Sequence, residues 1–155
     1  MALHFWSLIL LLGFAVQQAN QAPEATDVLT PAERSQMAKA TKIDGRIKVY
    51  QAASERFKAK LANEMAKRDY SAVPDTLQLW AQLLKISLKD IDASITNRKK
   101  KSGALKNYEI RVRKSITDVQ AYKTAVPVDV IDQFDTWLAQ AEDVHQKFVD
   151  ILFPK

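Results

Sequence analysis

The sequence predicts an all-α fold, an up-down-up-down antiparallel four-helix bundle with a long first helix. Three observations predict it. With 3 Gly, 5 Pro and 47% hydrophobic residues in 155, the composition fits neither a disordered chain nor a turn-rich β sandwich. Apolar residues recur at alternating spacings of three and four in separate long segments, which keeps one face of a helix turned inward. Short polar connections join those segments, and short connections make sequential helices antiparallel. A chain of 155 residues is one domain by length and buries an ordinary core without staples.

Residues 1–22 differ in kind from the rest. No Asp, Glu, Lys or Arg precedes Glu24, and Phe5 to Phe14 is nearly continuous apolar sequence, the pattern of a secretory signal peptide. The α-amino group and His4 alone supply positive charge at its start, with Gly13-Phe14-Ala15 the best small-x-small match and Ala19 or Ala22 as other cleavage positions. Ala2 to Val16 falls short of the roughly 20 apolar residues of a spanning helix. A cleaved signal is therefore expected in preference to an anchor, and no transmembrane helix in the mature protein. Residues 23–29 then form a flexible leader and 30–153 the bundle. Export with no cysteine leaves stability to packing, without a disulfide framework or c-type haem attachment, and fits a bacterial periplasmic or secreted protein.

Thr30-Pro31-Ala32-Glu33 combines a hydroxyl N-cap, Pro at the first helical position and Glu three residues after the cap. The first helix starts there with the stripe Met37, Ala40, Ile43, Ile47, Tyr50, Ser54, Phe57, Leu61 and Met65. Unbroken to Arg68, it is about 57 Å long at 1.5 Å per residue, with Gly45 its weak point. Pro74 opens the second helix, with Leu77, Trp80, Leu84, Leu88, Ile91 and Ile95 on one face. A second stripe of Leu79, Leu83 and Ile86 lies nearly opposite. Either the chain covers both sides of this helix, or the second stripe is a self-association face for a homo-oligomer.

Asn97 to Gly103 reads as a helix break, with Ser102 as the next cap. The heptad phase also runs through it, so a three-helix arrangement with the second and third helices continuous fits the pattern too. The break is preferred because a continuous rod leaves two apolar stripes with only the first helix to cover them. The third helix turns Leu105, Tyr108, Val112, Ile116, Val119 and Tyr122 inward. Asp129 is expected to cap the fourth, whose stripe is Ile131, Phe134, Leu138, Ala141, His145, Phe148 and Leu152, widened by Val130, Trp137, Val144 and Ile151.

Charge is segregated along this chain of formal net charge +5. Arg98, Lys99, Lys100, Lys101, Lys106, Arg111, Arg113 and Lys114 stand against one acid, Glu109, between residues 98 and 114. The fourth helix carries Asp129, Asp132, Asp135, Glu142, Asp143 and Asp150 against Lys147. Pairing between these two helices is one account of the pattern. The other is an anion-binding surface of Arg98 to Lys101 with Lys106 and Lys114, which attracts acidic lipid headgroups or an envelope polyanion. Nucleic acid is not expected, because the stacking candidate Tyr108 lies on an inward stripe and the chain is exported.

The sequence has no GxGxxG, P-loop, G-x-S-x-G or HExxH. His145 is the only histidine after the signal segment, so a nucleophilic triad would have to use a helix face dominated by apolar neighbours. Glu142 and His145 form one Glu-x-x-His pair, and a di-iron bundle needs two. A haem electron carrier is the reading from another class. Met37 and His145 fall on inward stripes at one end of the expected bundle, and Met with His is a haem axial pair. His145-Gln146-Lys147-Phe148 resembles the last helix of the soluble four-helix b-type cytochromes of the periplasm, and that resemblance implies haem between Met37 and His145. The primary expectation is a non-enzymatic exported bundle, without cofactor, that binds an anionic envelope partner or associates with itself.

Overall fold

The computed structural model describes residues 28–95 and 102–155. Among these residues the chain forms α1 (Pro31–Lys39), α2 (Ile43–Lys67), α3 (Val73–Ser94), α4 (Gly103–Lys123) and α5 (Val128–Leu152), with no strand. The expected signal segment, most of the expected leader and Arg98 to Lys101 lie outside the described residues. No helix among the described residues is long and apolar enough to cross a membrane.

The expected capping box forms. Thr30 Oγ1 accepts from the Glu33 backbone N–H at 3.2 Å, and the Thr30 N–H donates to Glu33 Oε2 at 2.7 Å. The helix it opens is short, however. Instead of one helix from Pro31 to Arg68, the chain leaves the α conformation at Ala40 and doubles back. Residue 33 then reaches residue 56, where Arg56 Nε and Nη2 each donate to the Glu33 carboxylate at 2.9 Å. The reversal has a physical reason. A straight rod would carry Val28, Leu29 and Met37 away from the bundle, whereas the fold-back buries Val28 and packs Leu29 and Met37 against the core. Periodicity does not reveal it, because Met37, Ala40 and Ile43 keep the same spacing either way. Gly45 serves the close approach: a Cβ there would sit 3.2 Å from the Ala40 Cβ. Val28 and Leu29, expected to end a flexible leader, belong to the packed unit.

The remaining helices alternate in direction, up-down-up-down. α2 and α3 form one antiparallel hairpin, in which Arg46 meets Asp90 and Ser54 meets Trp80. α4 and α5 form the other, in which Glu109 meets His145 and Lys123 meets Asp135. The hairpins pack side by side, so α2 lies along α4 and α3 along α5, each pair parallel. α3 and α4 therefore stand on a diagonal and touch only through the core, where the Ser87 and Tyr108 hydroxyls are 3.2 Å apart. The backbone is non-helical at both Ile95 and Ser102, which settles the break against a continuous second and third helix. From Ile95 to Ser102 the chain reaches about 24 Å when extended, enough for the roughly 14 Å diagonal of helices about 10 Å apart.

The predicted stripes form the core. Trp80 and Trp137 meet between α3 and α5 with ring centroids 4.5 Å apart, and Tyr108 and Phe148 between α4 and α5 at 5.3 Å. Ser102 caps α4 by accepting from the Leu105 N–H at 3.1 Å, and donates to Asp44 Oδ1 at 2.7 Å, which ties the parallel starts of α4 and α2. Asp129 does not cap α5: Pro127 holds the N-cap position and Asp129 lies in the first turn.

Candidate anion-binding face

α4 is flanked by α2 on one side and α5 on the other, and the rest of its surface meets solvent. Leu105, Tyr108, Val112, Ser115 and Val119 are buried, which fixes the opposite face by the 3.6-residue period. That face presents Lys106, Ile110, Arg113, Lys114 and Thr117, all exposed. Ile110 is 40% exposed, one of three large apolar side chains so placed among the described residues, with Val128 and Phe153. It lies one helical turn after Lys106 and one turn before Arg113 and Lys114, so the three cations surround it.

The partners of the basic side chains decide how much positive charge is left. Arg111 Nη1 reaches Glu55 on α2 at 3.2 Å, and Lys58 on α2 reaches Asp118 on α4 at 2.6 Å. Arg113 Nε lies 3.5 Å from Glu109, whose Oε1 also meets His145 Nε2 at 2.8 Å. Lys123 pairs with Asp135. Lys106 and Lys114 make no ion pair within the described residues. Pairing between basic α4 and acidic α5 therefore involves the Lys123 end and His145, and leaves these lysines facing water. Of the sequence candidates for anion binding, the structure brings together Lys106 and Lys114. Arg98 to Lys101 precede this helix directly in the chain.

The other candidates are placed differently. Leu83 is fully buried, and Leu79 and Ile86 are half-buried against the core. The second stripe of α3 is thus largely covered within the chain. Met37 and His145 are not brought together: α1 packs on α2 alone, and α5 stands across the bundle from α2. The space between is filled by Phe57, Trp80, Tyr108, Phe134, Trp137 and Phe148, each less than 2% exposed, and His145 is engaged by Glu109. These residues do not fit a haem.

Two polar clusters were not anticipated from the sequence, in which Tyr50 counted only as an inward-stripe residue and Glu33 only as the acid of the capping box. Arg46 Nε and Nη2 grip Asp90 at 2.8 and 3.1 Å, and Asp90 also accepts from Tyr50 at 3.0 Å and Ser94 at 3.3 Å. Burial acts to raise the Asp90 pKa, but the hydrogen bonds from Arg46, Tyr50 and Ser94 and the Arg46 charge outweigh it and hold the carboxyl below its ordinary value. Burial, reinforced by the Asp90 carboxylate, pushes the Tyr50 phenol up. The second cluster is Arg56 with Glu33 and the Val28 carbonyl at 2.9 Å. Both join elements and enclose no free coordination position. Among the described residues no three His, Asp or Glu side chains are grouped to hold a metal ion.

Shallow grooves of about 850 and 540 Å³ run along the seam between α3 and α5, sharing Lys85 and Gln140. Trp137 Nε1 and Gln133 Oε1 are buried beside the smaller one without a hydrogen-bond partner. The grooves carry charges of both signs, with Lys85, Lys89 and Lys147 among Asp92, Asp143 and Asp150.

No protein-family model, no curated protein and no solved structure matches this chain.

Proposed function

We propose that this protein is an exported, non-enzymatic helical bundle that binds an anionic partner of the cell envelope through the outward face of α4. The observation that carries the reading is that, among the described residues, Lys106 and Lys114 remain exposed and without ion pairs on a helix flanked by two neighbours. Two lysines held about 12 Å apart along one helix, at 1.5 Å per residue, are a rigid positive strip. Arg113, one turn beyond Ile110, adds to its charge. Near an anionic surface each such residue contributes about 1 kcal/mol. The acidic residues of α5 give the opposite side of the hairpin the opposite sign, which orients the molecule as it approaches a negative partner.

The test is binding of the chain from Gln21 onward to polyphosphate and to vesicles, at 0.1 M and 1 M salt. The Debye length falls from about 10 Å to about 3 Å over that range. Binding to the anionic probes at low salt, weakened at high salt and absent with neutral vesicles, is expected. Equal binding to neutral and anionic vesicles, or no binding to either anionic probe, overturns the reading.

A further inference from the structure

We infer that the anionic partner of the α4 face is a bilayer surface, with Ile110 as an apolar anchor inserted among the headgroups. The inference rests on the proposed anion-binding reading and deepens it. A soluble polyanion rewards only cations, and an exposed apolar side chain amid them adds nothing to its binding. A bilayer rewards both: lysines meet phosphates while an apolar side chain enters the acyl boundary beneath them. The α4 face has that composition. Ile110 is 40% exposed and sits between Lys106 on one turn and Arg113 and Lys114 on the next.

A second exposed apolar side chain lies at the same end of the α4–α5 hairpin. In this hairpin, Tyr108 packs against Phe148 and Glu109 meets His145. This antiparallel register sets Phe153, 55% exposed, level with the start of α4. Ile110 then lies about 10 Å along the axis from that level, at 1.5 Å per residue. Two of the three exposed large apolar side chains among the described residues thus belong to the half of this hairpin at the start of α4. Val128 is at the other end. A helix lying in the plane of the interface uses its side in this way and spans nothing, in keeping with the absence of a membrane-crossing helix among the described residues.

The experiment compares Ile110→Ser with Phe153→Ser, and the double variant, in two assays on the mature chain. One is sedimentation with vesicles of phosphatidylcholine and phosphatidylglycerol, the other binding to polyphosphate. The double variant is expected to lose about tenfold in vesicle partitioning and to keep its polyphosphate affinity within twofold. Circular dichroism and thermal unfolding check that each variant keeps the fold. Unchanged vesicle binding by the double variant overturns the anchor, as does wild-type protein that binds polyphosphate but not vesicles, and the anion-binding reading survives both. Wild-type protein that binds neither probe overturns both.

Discussion

One guanidinium clips the folded-back α1 to α2, and Arg56→Met measures what that contact contributes. No residue of α1 is fully buried, so the helix docks through Val28, Leu29 and Met37 and through Arg56, which donates to Glu33 twice and to the Val28 carbonyl once, each at 2.9 Å. A hydrogen bond to a charged group contributes about 1.5–3 kcal/mol when sequestered, whereas exposed ion pairs contribute about 0–1 kcal/mol. With Arg56 35% and Glu33 13% exposed, the clip falls between these limits, at about 2 kcal/mol. Met keeps the apolar stem over the Phe57 ring, above which the guanidinium carbon now sits at 4.3 Å. Opening of α1 alone should become about 30-fold more frequent, since each 1.4 kcal/mol is tenfold. Native-state hydrogen exchange of the Arg34 to Ala40 amides should accelerate by that factor, and trypsin should cut faster at Lys39 and Lys42, while the α3 and α5 amides keep their rates. Unchanged exchange in α1 would refute the clip. Equal acceleration in all helices would show that α1 unfolds only with the bundle.

Three other consequences are testable by unfolding. The Asp90 carboxyl is held below its ordinary 3.8, so its contribution is present above that value and is lost as pH falls through the lower folded value; Asp90→Asn should be destabilised at pH 7 and show a flatter acid limb between pH 4 and 2. Trp80 Nε1 donates to Ser54 Oγ at 2.8 Å, whereas Trp137 Nε1 has no partner, so Trp80→Phe should cost about 1–2 kcal/mol more than Trp137→Phe, and equal losses would refute that asymmetry. Arg68 ends α2 with φ of 54°, a left-handed conformation that costs a side chain about 1 kcal/mol. Arg68→Gly should raise stability by roughly 0.5 kcal/mol in urea, after the entropy that glycine adds to the unfolded chain, and a loss would show that the Arg68 side chain matters.

The helix class and the inward faces were legible because the core is built by periodicity. Ile47, Phe57, Leu84, Val112 and Phe148 are buried where their spacing puts them. The start signals at Thr30 and Ser102 were legible because a cap is a local hydrogen bond. The fold-back at Ala40 was not, since reversal is decided by what Val28 and Met37 find to pack on. The diagonal placement of α3 and α4 was not either, because helix pairing depends on contacts between segments far apart in the chain. For the candidate site, the sequence showed the concentration of charge but not which cations stay free. That required knowing that Glu55 takes Arg111 and Asp135 takes Lys123. Ile110 stood off the inward stripe between basic residues, and this pattern was its only signal.

The most direct test is to compare two charge-matched double variants for affinity to anionic vesicles at 0.1 M salt. Lys106→Gln with Lys114→Gln removes the α4 lysines that have no ion pair among the described residues, and Lys85→Gln with Lys89→Gln removes two exposed lysines of α3. At about 1 kcal/mol per residue, the α4 pair should lose roughly 30-fold and the α3 pair no more than threefold. Equal losses from the two pairs would mean that binding follows net charge alone and that the α4 face is not the site.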